Sequence, residues 1–144
     1  MIPRAARVCF VVALGLPLVG CGGGSHRTAA VSGRVTLDSK PLPKATVEFV
    51  PEAGGGGKEP PPSSVGVTDA DGRYTLTLSS GGKGPGAVVG KHRVLITLGA
   101  EAAANDARPT FHKQLPEKYN RKSTLTCEVP AGGREDANFD LKSK

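Results

Sequence analysis

What most restricts the fold of this 144-residue chain is the spacing of its apolar residues beyond position 30. They alternate with polar ones over short runs and nowhere keep a three-to-four-residue repeat. Alternation with period two suits a pleated strand with one buried face, whereas a helix needs the longer repeat. The 20 glycines and 12 prolines fall largely between these runs, in clusters with Asp and Ser that end strands and turn the chain. The pattern predicts an all-β chain.

Within "AVSGRVTL", residues 30–37, Val31, Gly33, Val35 and Leu37 share a face opposite Ser32, Arg34 and Thr36. Turn material follows at 38–43, and "KATVEFV" at 44–50 turns Ala45, Val47 and Phe49 inward. These two runs form either a hairpin or two strands joined across a sandwich. The glycines and prolines of 51–64 offer neither ladder nor core, so that segment reads as a surface loop. It is no phosphate cradle, because Lys58 precedes Glu59 and prolines rather than a helix start. "VGVTDADGRYTLTLS", residues 65–79, reads as a hairpin closed at 69–72, with Tyr74, Leu76 and Leu78 on its buried face. Asp69, Asp71 and Gly72 also resemble the opening of a calcium loop. Residues 73–77 then lack the further charged ligands such a loop needs, so a structural turn is favoured and calcium is the rival.

Further on, a turn is expected at Gly90-Lys91, then a strand with Val94, Ile96 and Leu98 inward. A long excursion follows, with a helical turn around 101–104, then a strand at 123–129, a turn at 130–133 and a last strand with Ala137, Phe139 and Leu141 inward. Seven or so strands in a segment of this size fit a single β-sandwich. Leu125, Cys127 and Val129 share a face in "STLTCEV", so Cys127 reads as a small core hydrophobe rather than a nucleophile.

The N-terminus has a different character. Arg4 and Arg7 precede an apolar run at 8–19 that is interrupted by Pro17 and stops at Gly20. That is the layout of a signal peptide, and the run falls short of the roughly 20 apolar residues a spanning helix needs. "LVGC", Leu18 to Cys21, resembles the lipobox of bacterial lipoproteins. The resemblance implies cleavage after Gly20 and a diacylglyceryl thioether on Cys21, with the new amine often acylated by a chain such as palmitate. Only a thiol can supply that sulfur. Buried acyl chains are worth about 0.8 kcal/mol per CH₂, and two or three of them anchor stably. Gly22 at the second mature position, where a sorting Asp is absent, implies the outer membrane, facing periplasm or exterior. The expected organisation is a signal peptide at 1–20, a flexible tether at 21–30 from lipidated Cys21, and one domain at 31–142.

After cleavage Cys9 is lost and Cys21 is acylated, which leaves Cys127 without a disulfide partner. The chain's 19 basic and 13 acidic residues are interspersed, and with no Trp, 4 Phe and 2 Tyr there is little to stack bases. Nucleic acid is therefore not an expected partner.

Taken in order, "VSGRVTLDSKPLPKATVEFVP", "GVTDADGRYTLT", "GAVVGKHRVLIT", "LPEKYN", "STLTCEVPAGG" and "NFDL" resemble the carboxypeptidase regulatory-like domains of small planctomycete-type lipoproteins. The resemblance implies a Greek-key sandwich of transthyretin-like, or prealbumin-like, type. It is nearly silent on activity. The catalytic part of metallocarboxypeptidases needs clustered His and Glu ligands, but His26, His92 and His112 are isolated. The hydroxyisourate hydrolase branch of the fold ends in Tyr-Arg-Gly-Ser, whereas this chain ends Asp-Leu-Lys-Ser-Lys. The expected role is a lipid-anchored envelope binding or structural module, touching an envelope protein or carbohydrate, with no catalysis, cofactor or metal. The alternative is a small hydrolase using His92 and Arg93 with a loop residue such as His112. His92 and Arg93, at the start of a strand, are expected to be solvated.

Overall fold

The computed structural model describes residues 26–52, 60–79, 85–98 and 115–144. Residues 1–25, with the expected signal peptide and Cys21, lie outside these, as do the tip of the 51–64 loop and the 99–114 excursion with His112. Eleven short strands run through the described residues: β1 (Thr28–Ala29), β2 (Ser32–Leu37), β3 (Lys40–Pro41), β4 (Ala45–Pro51), β5 (Ser64–Val67), β6 (Arg73–Thr75), β7 (Thr77–Leu78), β8 (Ala87–Val88), β9 (Gly90–Leu98), β10 (Thr126–Val129) and β11 (Phe139–Leu141). The protein is all-β. The count exceeds the expected seven because residues 73–79 divide into β6 and β7 on different sheets, β8 stands apart from β9, and β1 and β3 form in segments expected as tether and turn.

One sheet has the order β10-β9-β4-β5-β7; the other is β11-β2-β3, with β6 also on β2; β1 and β8 form a small ribbon. The spine is the β4–β9 pairing, which runs from Ala45↔Leu98 to Pro51↔His92. Its inward residues Ala45, Val47, Phe49, Val94 and Ile96 are fully buried. They share one core with Val35, Tyr74 and Leu141 of the opposite sheet. Phe49 meets Phe139 edge-on, with ring centroids 6.2 Å apart. β2 and β4 therefore join across the sandwich, the second of the two expected arrangements.

Residues 65–79 depart from expectation. β5 pairs with β4 and β7, whereas β6 pairs with β2, so the turn at 69–72 carries the chain between sheets and does not close a hairpin between its flanking strands. Inward alternation survives the crossing: Tyr74 and Leu76 are buried and Leu78 is partly so. The crossing is tight. A Cβ on Gly66 would lie 2.5 Å from the Thr75 carbonyl oxygen. Gly72 takes φ 74°, where a side chain is strained, and its Cβ would also meet the Val35 carbonyl oxygen at 2.4 Å.

Two other boundaries shift. Gly90, at φ 132°, and Lys91 both lie within β9, and the bend that separates β8 from β9 falls at Val89 instead of forming the expected turn at Gly90-Lys91. The folded unit begins ahead of residue 31, because β1 pairs Thr28↔Val88 and Ala29↔Ala87 and buries Ala29. An otherwise open edge at β8 takes the last residues of the expected tether as its partner.

The Thr68 hydroxyl donates to the Leu42 carbonyl at 2.6 Å and accepts the Ala45 amide at 2.8 Å. Backbone bonds from Lys44 to Thr68 and from Thr68 to Ala45 complete the clamp. Thr68→Val keeps the shape but strands a buried amide, so it should destabilise the protein by about 1–3 kcal/mol. Urea denaturation at unchanged m-value checks this. Ser39 sits at φ 69° in the two-residue β2–β3 turn. Ser39→Gly should change stability oppositely, by up to about 1 kcal/mol.

Candidate functional site

The sequence singled out His92 and Arg93, and β9 separates them. Consecutive strand residues point to opposite faces; Arg93 is exposed, while His92 is 1% exposed. The expectation of a solvated His92 is corrected, because the alternation that buries Val94 and Ile96 continues back to residue 92. Its Nδ1 lies 3.0 Å from the Gly90 carbonyl oxygen, which can only accept, so Nδ1 carries the proton. That leaves Nε2 as a bare acceptor, buried and without a hydrogen-bond partner among the described residues. The ring tilts against Phe49 at 5.6 Å. Burial holds the His92 pKa below its ordinary value, partly offset by the Gly90 bond and the charge of Glu52.

Cys127 stands directly across from His92 on β10. It is buried, and burial pushes its thiol pKa up despite the nearby Arg134 guanidinium. A protonated, enclosed thiol matches the core role expected of it. Among the described residues no group of three His, Cys, Asp or Glu is arranged to hold a metal ion.

The "TDADGRY" run is absorbed into architecture. One Asp69 carboxylate oxygen accepts the amides of Asp71 and Arg73, both at 2.9 Å. Gly72 supplies the positive φ, and the buried Tyr74 hydroxyl donates to the Ala137 carbonyl at 2.6 Å. The Tyr74 pKa is raised far above its ordinary value, chiefly by burial.

An open groove of about 570 Å³ lies on the outer side of the β2–β6 pair. The register sets Arg34 opposite Arg73 and Ser32 opposite Thr75. Ladder bonds from Val35 to Gly72 and from Leu76 to Val31 fall on the pairs flanking these two. Arg34 and Arg73 are thus a non-hydrogen-bonded pair, the kind with the shorter Cα separation of about 4.5 Å and the closer side chains. Both are exposed. Arg34 Nε donates to the Asp71 carbonyl at 2.9 Å, which steadies that guanidinium and leaves its terminal nitrogens available. The ion pairs among the described residues join other groups: Lys91–Glu52, Lys122–Glu117 and Arg134–Asp136. Asn138 closes one side of the groove, its side-chain oxygen accepting the Arg34 amide at 2.9 Å.

Neither arginine was singled out from the sequence. Alternation marks Arg34 as outward, and the residue after Gly72 can be read the same way, but only the sheet crossing puts them side by side. No family model, curated protein or solved structure matches the chain.

The lowered His92 pKa fixes a pH trend. Below about 6.5 the unfolded chain takes up a proton that the folded one resists, so stability is full above that pH and is lost as pH falls towards the native pKa. His92→Phe should flatten the decline that the wild type shows between pH 7.5 and 5.5. Urea midpoints across that range read the effect, and parallel slopes in the two proteins would contradict it.

Proposed function

We propose that the protein is a lipid-anchored cell-envelope β-sandwich of carboxypeptidase regulatory-like type that works as a binding module, with its contacts made through the β2–β6 groove. The observation carrying this reading is the pair of exposed arginines, Arg34 and Arg73, set opposite each other on an open face, neither ion-paired to a carboxylate among the described residues. Catalysis by His92 with Arg93 requires both in one concavity, and the two point to opposite sides of β9. His92 is enclosed where no substrate reaches it.

The anchor is supported by the apolar run ending in "LVGC" and by the small residues after Cys21. Among the described residues no helix is long and apolar enough to cross a membrane. With Thr28 already paired, only residues 22–27 separate Cys21 from the sandwich. Fully extended they span roughly 20 Å. A thioether at Cys21 would therefore hold the domain close to its bilayer, with Gly22 favouring the outer membrane.

Cys21→Ser should move the protein from the membrane fraction to the soluble one without altering its thermal unfolding. Mass spectrometry of the wild type should find an N-terminal peptide starting at acylated Cys21. Unacylated N-termini that retain residues 1–20 would defeat the anchor.

A further inference from the structure

Resting on the reading of this groove as a contact surface, we propose that it binds a hydroxylated carboxylic acid of the kind carried by an acidic polysaccharide, with Arg34 and Arg73 clasping the carboxylate. Like charges directly opposite on neighbouring strands are unfavourable. Here the sheet-switching turn imposes that opposition, and no acidic side chain is ion-paired to either arginine among the described residues. An anion between the two guanidiniums relieves it. Guanidinium forks match a carboxylate bidentately, and Arg34 is already steadied through Nε.

The rest of the groove selects among anions. Ser32 and Thr75, the next outward pair, lie roughly 7 Å along the strands and bring hydroxyls that can donate or accept. Val67, 62% exposed, adds an apolar spot suited to the C–H face of a ring. Asp69 and Glu135 also line the groove, and their charges oppose a multiply charged phosphate or sulfate more than a single carboxylate. They accept hydrogen bonds from ligand hydroxyls. An open groove takes a chain lying across it in preference to an enclosed monomer.

The test titrates the full-length chain, purified in detergent, with oligogalacturonate, a neutral maltooligosaccharide of the same length, and inorganic sulfate, by calorimetry. Oligogalacturonate should bind at least about tenfold more tightly than either competitor, and Arg34→Gln or Arg73→Gln should each weaken it about tenfold or more. Lys142→Gln, the same charge change away from the groove, should bind as wild type. Arg73→Gln keeps the Arg34 bond to Asp71, so its circular dichroism and unfolding midpoint separate lost binding from lost fold. Equal binding of the neutral oligosaccharide or of sulfate would overturn the ligand class while leaving a contact surface in place. Oligogalacturonate binding unchanged by Arg73→Gln, or absent altogether, would overturn the site. The module reading itself fails only if the double variant and the wild type also recover the same material from solubilised envelopes.

Discussion

A buried hydroxyl and a carboxylate at consecutive positions hold the sandwich together at its crossing point. The Thr68 hydroxyl ties the end of β5 to Leu42 and Ala45, and the Asp69 carboxylate gathers the amides of Asp71 and Arg73. Between them the chain leaves the sheet of β4 and enters the sheet of β2. If that turn closed an ordinary hairpin instead, β6 would lie on β5, Tyr74 would lose the Ala137 carbonyl it bonds, and Arg73 would not face Arg34. Core, second sheet and groove all follow from where this crossing delivers β6.

Inside and outside the sandwich, charge and polarity are handled in opposite ways. The inward side is nearly all apolar, and its polar members are neutral: the Tyr74 and Cys127 pKa values are pushed up by burial and that of His92 is pushed down. A site for proton transfer or nucleophilic attack needs accessible groups titrating near neutral pH, and these are sealed instead. On the outer side, charge stays in water, where Arg34 and Arg73 sit exposed and opposite each other.

Strand positions and their inward faces were legible in the sequence because alternation is a local property. Val35, Val47, Phe49, Ile96, Cys127 and Val129 are buried as their spacing required. Pairing is not local. Nothing in "VTDADGRYTL" states that residues 73–75 pair with β2 rather than β5, which depends on the bonds Thr68 makes with residues distant in sequence. His92 was misjudged for another reason: its polar character overrode an alternation that already put it in register with Val94. The groove was hidden because it is made by two outward residues on strands joined only in three dimensions.

The most direct test of the crossing is a cross-link. In a chain with Cys9, Cys21 and Cys127 replaced by Ser, Arg34→Cys with Arg73→Cys puts two thiols on a non-hydrogen-bonded pair, whose Cα separation of about 4.5 Å lies within the range a disulfide spans. Mild oxidation of the folded protein should close that disulfide quantitatively, and Arg34→Cys paired instead with Thr77→Cys on β7 of the other sheet should stay reduced. Closure only after unfolding, or equal closure of both pairs, would contradict the placement of β6 beside β2 and with it the site.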